Sequence, residues 1–356
     1  MDELTYQIAW TCLYPTRLRT IKQWLEQYGS ASAAWERLDV EGKKAALDRA
    51  QQEREWIDKH DISTYFYQDD NYPYRLRECI DAPILLYGKG RLRVNEGKML
   101  SIVGTRQASE RCKSLVRQLV LDLKEMVPDI TIISGLAYGI DVAAHRAALE
   151  AGLPTWIIPA HGLDRIYPTL HRDVAVQALE KGGILTEYIS GTEAEKLHFV
   201  ARNRIVAGLA DAVLVAESKQ RGGSLITAKM ARDYNRDLFA FPGRPSDDSM
   251  TGCNMLIRDQ KAQLIENARD LVNAMQWEPV SQPMQTSIFT MPEDITAEQK
   301  KILELLQESE DGIHVNLLVM ETQRPYSEVA ADLMMLDMMG TVKSMPGGVY
   351  RMKVES

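Results

Sequence analysis

Hydrophobic residues follow two different patterns along this chain, and the change of pattern marks how the chain is organised. From residue 4 to about residue 60 the apolar positions recur at helical spacing, with a break at Gly29 and Ser30. From residue 99 onward, short apolar runs alternate with stretches of helical period. The first region therefore predicts a small helical domain, and the second predicts strands that alternate with helices.

The central region predicts a mostly parallel α/β sheet covered by helices on both faces, because strand and helix alternate with right-handed crossovers in such folds. The predicted strands cover residues 100–103, 131–133, 155–158, 183–185, 212–215 and 237–241. The predicted helices cover residues 109–126, 142–151, 172–181, 201–209 and 224–234. In sheets of this kind, ligands bind beyond the carboxyl ends of the strands.

The other segments predict a joining strand, a linker and a further domain. A short apolar run at 84–87, closed by glycines, predicts a strand that leads into the central sheet. The segment 279–292 is rich in Pro, Gln, Ser and Thr and is typical of a linker. Three helical patterns followed by two short strands predict a winged helix-turn-helix at the carboxyl end. The predicted domains are residues 1–64, 65–278 and 293–356, with the linker at 279–292.

Composition narrows the class of protein. The 356 residues are 45% hydrophobic, and no apolar run approaches the roughly 18 residues of a membrane-spanning helix, so we expect a cytoplasmic protein without membrane contact. The four cysteines stand far apart and without a nearby histidine cluster, which argues against a disulfide framework or a zinc site. We expect no metal and no cofactor.

The charge is unevenly distributed. A net charge of -8 argues against binding nucleic acid by bulk attraction, because such binding requires lysines and arginines that neutralise phosphates. Residues 196–236, however, contain eight basic residues against three acidic ones. A polyanion would therefore be expected to bind there.

The end of the first predicted central strand has features of a phosphate site. Arg106 follows the turn at Gly104, and Ser109 is well placed to cap the next helix. Free backbone N–H groups at a helix start attract anions, and an arginine can add a bidentate phosphate contact or stack on a base. The dinucleotide fingerprint G-x-G-x-x-G is absent here, which removes the main support for NAD or FAD binding.

The end of the second predicted strand permits two interpretations. Gly135 and Gly139 allow close approach of another backbone, from a ligand or from the protein itself. Asp141 and His145 could act as an acid–base pair, but one helical turn near a helix start also suits a cap and a simple hydrogen bond. The structural interpretation is favoured for both.

The strongest local signal is the segment 196–209. Base stacking and phosphate neutralisation are the two ingredients of single-strand recognition, and an aromatic ring among cations supplies both. The residues concerned are Lys196, Phe199, Arg202, Asn203 and Arg204. The alternative is a solvated helix start with Phe199 in the core. Arg202 and Arg204 point to different sides of a helix, so at least one is expected to be structural, paired with Glu187 or Glu217.

A second anion-receptive helix start is predicted after the fifth strand. Gly222 and Gly223 precede a helix whose predicted cap is Ser224. Two such starts could hold successive phosphates, or this segment could be a crossover loop without a ligand.

Six ordered motifs resemble the DprA (Smf) family of DNA-processing proteins. They are S-I-V-G-T-R at 101–106, S-G-L-A-Y-G-I-D-V-A-A-H at 134–145, G-L-D-R-I-Y-P at 162–168, A-R-N-R-I-V-A-G-L at 201–209, G-S-L-I-T-A at 223–228 and F-P-G at 241–243. The resemblance covers about residues 72–275. It implies an extended Rossmann-like domain that binds single-stranded DNA without sequence preference, forms homodimers, assists loading of the RecA recombinase in natural transformation, and is not an enzyme.

The resemblance also implies roles for particular residues. By position, the DNA pocket would contain Arg106, Lys196, Phe199, Arg202, Asn203 and Arg204. Ser109, Gly135, Gly223 and Ser224 complete the expected site as the turn and helix-start residues described above. Dimer contacts are expected at Leu256, Ile257, Leu264 and Ile265.

Other interpretations remain open at this stage. The main rival is a nucleotide or phosphoribosyl hydrolase that uses Asp141, His145 or Glu187, and a second rival is a scaffold whose basic segment faces a protein. In the winged helix, the expected recognition helix at 326–338 carries three acids and no cation, so phosphates would repel it. We expect that domain to pack or to recruit protein instead of reading DNA.

Overall fold

The protein forms two compact units, Met1–Ser281 and Gln282–Ser356. Its computed structural model describes residues 1–277, 295–307, 309, 312–345 and 348–353, so the predicted linker at 279–292 lies outside the described residues. Within the described ranges, no helix combines the length and the apolar character needed to cross a membrane.

Four helices form the amino-terminal part of the first unit, as the helical spacing predicts. They are α1 Glu3–Leu13, α2 Leu18–Tyr28, α3 Ala31–Glu36 and α4 Lys43–His60. Their buried side chains share one core with Leu85 and Tyr87 from the central sheet. The helices therefore pack directly against one end of that sheet.

A nine-stranded sheet is the centre of the first unit. Its strands are β1 Ser63–Phe66, β2 Leu85–Gly90, β3 Lys98–Gly104, β4 Ile130–Ser134, β5 Thr155–Ile157, β6 Gly183–Thr186, β7 Ala212–Glu217, β8 Asp237–Ala240 and β9 Gln263–Leu264. The strand order is β1-β2-β6-β5-β4-β3-β7-β8-β9. β1 pairs antiparallel with β2, and β2 pairs antiparallel with β6, whereas the pairs among β3 to β9 are all parallel. The mostly parallel sheet predicted from the sequence is confirmed.

The crossover helices cover the parallel strands. They are α6 Glu110–Met126, α7 Ile140–Glu150, α8 Arg172–Lys181, α9 Lys196–Leu209 and α10 Ser224–Asp233; the shorter helices are α5 Tyr74–Arg77, α11 Thr251–Arg258 and α12 Ala268–Met275. Every residue of β4 and β7 is buried. Burial on both faces explains why these strands appear in the sequence as continuous apolar runs.

The sheet reverses its strand order at β3. β4, β5 and β6 follow on one side of β3, whereas β7, β8 and β9 lie on the other side. Crossover connections diverge at such a point and leave a crevice beyond the carboxyl ends of the strands. The segments that follow β3 and β7 therefore flank the position at which sheets of this class bind ligands.

The second unit has the winged helix-turn-helix arrangement that the sequence predicts. Its elements are α13 Ala297–Gln307, β10 Ile313–His314, α14 Val315–Thr322, α15 Tyr326–Met338, β11 Val342–Met345 and β12 Val349–Met352. The three strands pair antiparallel in the order β10-β12-β11. Leu303, Leu318 and Leu333 from the three helices meet in its core.

Candidate nucleic-acid interface

The crevice beyond β3 is built by a close contact between two loops. Gly139 adopts a φ of 79°, and a Cβ atom at this position would stand 2.2 Å from Thr105 O. Next to it, Ile140 N donates a hydrogen bond to Thr105 O at 3.2 Å. The start of α7 therefore lies against the loop that carries Arg106, and this close approach requires glycine.

Arg106 and Phe199 meet at the mouth of the crevice. The Arg106 side chain is exposed, and its guanidinium carbon lies 5.1 Å from the centroid of the half-buried Phe199 ring. This distance is within the range of a cation–π contact. The structure thus brings together two of the predicted site residues, from segments 93 positions apart in the sequence.

One face of α9 supplies the rest of the exposed site. Lys196, Phe199 and Asn203 are three and four residues apart, so they share a helix face. Lys196 is exposed at the first turn, and Asn203 is half-buried. A cation, an aromatic ring and an amide are therefore presented on one face of α9, and the ring contacts Arg106.

Arg202 lies inside the protein, which corrects its predicted role as a direct DNA contact. It is 3% exposed, and its guanidinium donates a hydrogen bond to Ile158 O. Gly135 packs against it so closely that a Cβ there would overlap the guanidinium. The close approach predicted at Gly135 is thus made by the protein's own side chain. The charge of Arg202 opposes the rise in the pKa of Asp141 that burial causes.

Arg204 is also internal, and its predicted role as a DNA contact is likewise corrected. The Arg204 guanidinium forms an ion pair with the carboxylate of Glu187, and both side chains are about nine-tenths buried. This is one of the two structural pairings that the sequence suggested. Burial raises the pKa of Glu187, and the charge of Arg204 opposes that rise.

At the start of α6, the backbone N–H group of Ser109 is already bonded to a carboxylate of the protein itself. The Ser109 hydroxyl caps α6 by accepting a hydrogen bond from Cys112 N at 3.2 Å, as predicted. Ser109 N and Oγ, however, both donate to Glu217 Oε2, at 2.9 and 3.1 Å. Since an internal acid occupies this N–H group, the predicted phosphate contact at Ser109 is replaced by a contact within the protein.

The loop before α10 differs from the prediction in its cap. Ser224 is buried as the first helical residue, and its hydroxyl bonds to Ser218 Oγ at 2.9 Å, so Ser224 is not the cap. Gly223 is at the cap position, exposed and with open space around it. Lys219 and Arg221 are exposed in the same loop. Gly223 therefore stays a candidate contact, whereas the Ser224 side chain faces inward.

His145 and Asp141 are both buried and have internal partners. His145 Nδ1 lies 2.7 Å from Thr155 Oγ1, which itself donates to Ile132 O, so Nδ1 carries the hydrogen. Burial lowers the pKa of His145 to about 3. Asp141 accepts a hydrogen bond from Ala137 N at 3.4 Å. These contacts agree with the structural interpretation of both residues.

Tyr167 extends the exposed site and was missed among the candidate residues. Its ring centroid lies 5.9 Å from that of Phe199 at an interplanar angle of 62°, and it is 49% exposed. Tyr167 lies in a loop, where no periodic pattern of hydrophobic residues could single it out. The available signal was the family motif at 162–168, which contains this tyrosine.

The predicted dimer contacts divide into buried and accessible residues. Ile265 is fully buried and Leu256 nearly so, both in the core of the first unit, so they have no surface to offer a second copy. The predicted dimer contacts at Leu256 and Ile265 are therefore corrected. Leu264 is 43% exposed and Ile257 is half-buried, and both stay candidates.

Fold and site together define a Rossmann-like α/β protein whose carboxyl sheet edge exposes cations next to aromatic rings, followed by a winged-helix unit. Residues 63–276 match the family of the DNA recombination-mediator protein A, and residues 290–348 match the DprA winged helix domain. The chain belongs to the DprA family.

Relatives in several bacteria support this assignment. The chain is 40% identical over 204 residues to the DNA processing protein DprA of Streptococcus pneumoniae, covering 57% of this chain and 71% of that protein. It is 34% identical over 316 residues to the protein Smf of Synechocystis sp., covering 80% of this chain and 78% of the relative.

Two solved structures of the family resemble the fold. The X-ray structure of the Streptococcus pneumoniae protein aligns with a TM-score of 0.67 at 32% identity, over 77% of this chain and 98% of that one. A Helicobacter pylori DNA processing protein A, whose structure describes its single-stranded DNA binding mode, aligns with a TM-score of 0.55 at 30% identity. That alignment covers 61% of this chain and 96% of the relative.

Proposed function

We propose that this protein binds single-stranded DNA, without sequence preference, at the exposed crevice formed by Arg106, Lys196, Phe199 and Asn203. The observation that carries the proposal is the Arg106 guanidinium 5.1 Å from the Phe199 ring centroid, where the strand order reverses. The cations would contact phosphates and the aromatic surface would stack on bases. Every base has a flat face, so stacking does not discriminate sequence.

The proposal includes a role in recombination. A relative is described as binding single-stranded DNA, and the family is named for mediating recombination. We infer that this protein delivers bound DNA to a RecA recombinase during DNA uptake and natural transformation. We further infer that it acts as a cytoplasmic homodimer without catalytic activity, with Ile257 and Leu264 among the contacts between copies.

The experiment that tests the proposed class compares binding with turnover. Purified full-length protein is titrated into a labelled oligothymidine and a matched duplex at about 50 and about 200 mM salt. In parallel it is incubated with nucleoside monophosphates and with the oligonucleotide, and products are separated by chromatography. We expect salt-sensitive binding that favours the single strand, with both substrates unchanged. Hydrolysis of either substrate would support the hydrolase alternative instead.

The winged-helix unit favours a second candidate function, contact with a protein. Its helix α15 carries Glu328, Asp332 and Asp337 and no cation, so it would be repelled by a DNA groove. Met334 and Met338 are 66% and 82% exposed on the same helix. Exposed methionines beside acids suit a partner with a basic, partly apolar surface. A RecA pull-down with and without residues 293–356 tests whether this partner is the recombinase.

A further inference from the structure

Tyr167 offers an aromatic surface that the contacts of the crevice leave open. The Arg106 guanidinium already lies over the Phe199 ring, and Tyr167 meets the same ring edge to face. About half of the Tyr167 side chain remains exposed to solvent. An exposed aromatic ring next to cations is the arrangement on which an unstacked base can lie.

The backbone at Tyr167 is fixed by a buried histidine. Tyr167 N donates a hydrogen bond to His161 Nε2 at 3.1 Å, and His161 Nδ1 lies 2.8 Å from Gly162 O. Because a carbonyl only accepts, Nδ1 carries the hydrogen and Nε2 is the acceptor for Tyr167. His161 is 1% exposed, and burial lowers its pKa, which keeps the ring neutral as this arrangement requires.

A second bond anchors the histidine to the sheet. Thr186 Oγ1, at the carboxyl end of β6, donates to His161 O at 3.0 Å. The loop between β5 and α8 is therefore held at the histidine from two sides. The backbone that carries the Tyr167 ring therefore loses little conformational freedom when a ligand stacks on that ring, which favours binding.

We propose that Tyr167 is a nucleobase-binding residue: one base of the bound strand stacks on its ring beside Phe199, and His161 acts as a positioning residue for it. The proposal rests on the proposed function, since it assigns a base site next to the phosphate contacts of Arg106 and Lys196. Its ligand is the flat face of an unpaired nucleobase.

Abasic DNA separates stacking from a merely structural role of Tyr167. An oligothymidine of about 20 nucleotides and a strand of equal length made of abasic sugars carry the same phosphates. Full-length Tyr167→Ala should bind the oligothymidine at least about fivefold more weakly than the unaltered protein, and both should bind the abasic strand equally. Tyr167→Phe should restore binding because it keeps the ring.

Matched controls make each outcome decisive. Tyr74 is exposed to a similar extent, 46%, and its backbone N–H donates to Asn95 Oδ1 in the loop before β3, at the amino edge of the sheet, so Tyr74→Ala should leave both affinities unchanged. His161→Gln should weaken oligothymidine binding and spare the abasic strand. Equal losses on both strands in Tyr167→Ala, or no loss on either, would overturn the base site. Absence of binding by the unaltered protein would instead refute the proposed function.

Discussion

The interior of the first unit contains buried charged side chains. Arg204 and Glu187 pair where both are about nine-tenths buried, and Arg202 lies behind Gly135. Removing ions from water is costly, and a paired geometry recovers that cost only while both partners are present. At the scale of single residues, these arginines therefore stabilise the crevice from within instead of contacting its ligand.

Loss of Arg204 should destabilise the fold strongly. Arg204→Ala leaves Glu187 buried without its partner, and we expect the free energy of unfolding to fall by about 3–5 kcal/mol. Urea unfolding followed by circular dichroism measures the change. The double variant Arg204→Met with Glu187→Leu should recover most of it, since an apolar pair of similar volume is often neutral. A matched surface variant, Arg117→Ala, should change stability little, because its partner Glu150 is exposed. Equal effects of Arg204→Ala and Arg117→Ala would contradict this account.

His145 should make stability depend on pH. Its pKa in the folded protein, about 3, lies below the ordinary value of 6.5, so its contribution is complete above pH 6.5 and is lost as the pH falls. When the pH is lowered from 7 to 5, protonation of His145 in the unfolded chain should reduce the free energy of unfolding by about 2 kcal/mol. His145→Gln cannot titrate, and its stability should decline by about that much less over the same interval. An unchanged decline in the variant would show that His145 is already accessible to protons.

Helix α9 has an outer face, which carries the proposed DNA contacts, and an inner face, which packs inside the protein. Lys196, Phe199 and Asn203 point outward, whereas Arg202 and Arg204 turn inward. The segment before the helix is tied to the amino-terminal helices. Ser190 N donates to Glu53 Oε1 at 2.9 Å, and Arg49 Nη2 donates to Ser190 O at 2.6 Å. The small helical part of the first unit thus helps to position the proposed DNA face.

Phe199 should contribute affinity without changing the response to salt. Phe199→Ala removes stacking but no charge, so binding of oligothymidine should weaken by about 1–3 kcal/mol while the slope of log K against log salt stays constant. Phe199→Tyr should retain affinity. The neighbouring exposed Val200 gives the control Val200→Ala, for which no change is expected. A changed salt slope in Phe199→Ala would mean that the substitution also displaces Arg106 or Lys196.

The sequence predicted elements better than it predicted the orientation of their side chains. The parallel strands are short apolar runs that stand out because both faces of the sheet are covered. Burial of Arg202 could not be predicted from its neighbours, since Ile158 and Gly135, which surround it, come from positions 44 and 67 residues away. β9 has only two residues, and α11 and α12 are short, so the periodic pattern of hydrophobic residues in them is too brief to be recognised.

At the scale of the whole molecule, charge is unevenly distributed: the second unit is strongly acidic, whereas acidic and basic groups nearly balance in the first. The net charge is -8, and residues 293–356 hold twelve acidic against six basic groups. The exposed cations of the crevice are Arg106 and Lys196, and Lys219 and Arg221 are exposed in the loop before α10. An acidic molecule with a local basic crevice would repel nucleic acid from most of its surface, which would restrict the proposed binding to the crevice.

Removal of the winged-helix unit should leave DNA affinity intact. A chain that ends before residue 293 keeps the crevice and loses the acidic helix α15, so its affinity for oligothymidine should stay within about twofold of the full chain or rise slightly. Anisotropy titrations of both chains give the comparison. A large loss of affinity on deletion would show that this unit contacts DNA.

We propose that one crevice, and not the general surface, binds single-stranded DNA. The most direct measurement is the affinity for oligothymidine, across a salt series, of Arg106→Ala with Lys196→Ala. The matched control is Arg91→Ala with Lys98→Ala, which removes two exposed cations at the opposite, amino edge of the sheet. We predict at least about a tenfold loss and a salt slope reduced by about 1.4 for the crevice variant, with the control unchanged. Equal losses in both variants, or none in the crevice variant, would contradict the account.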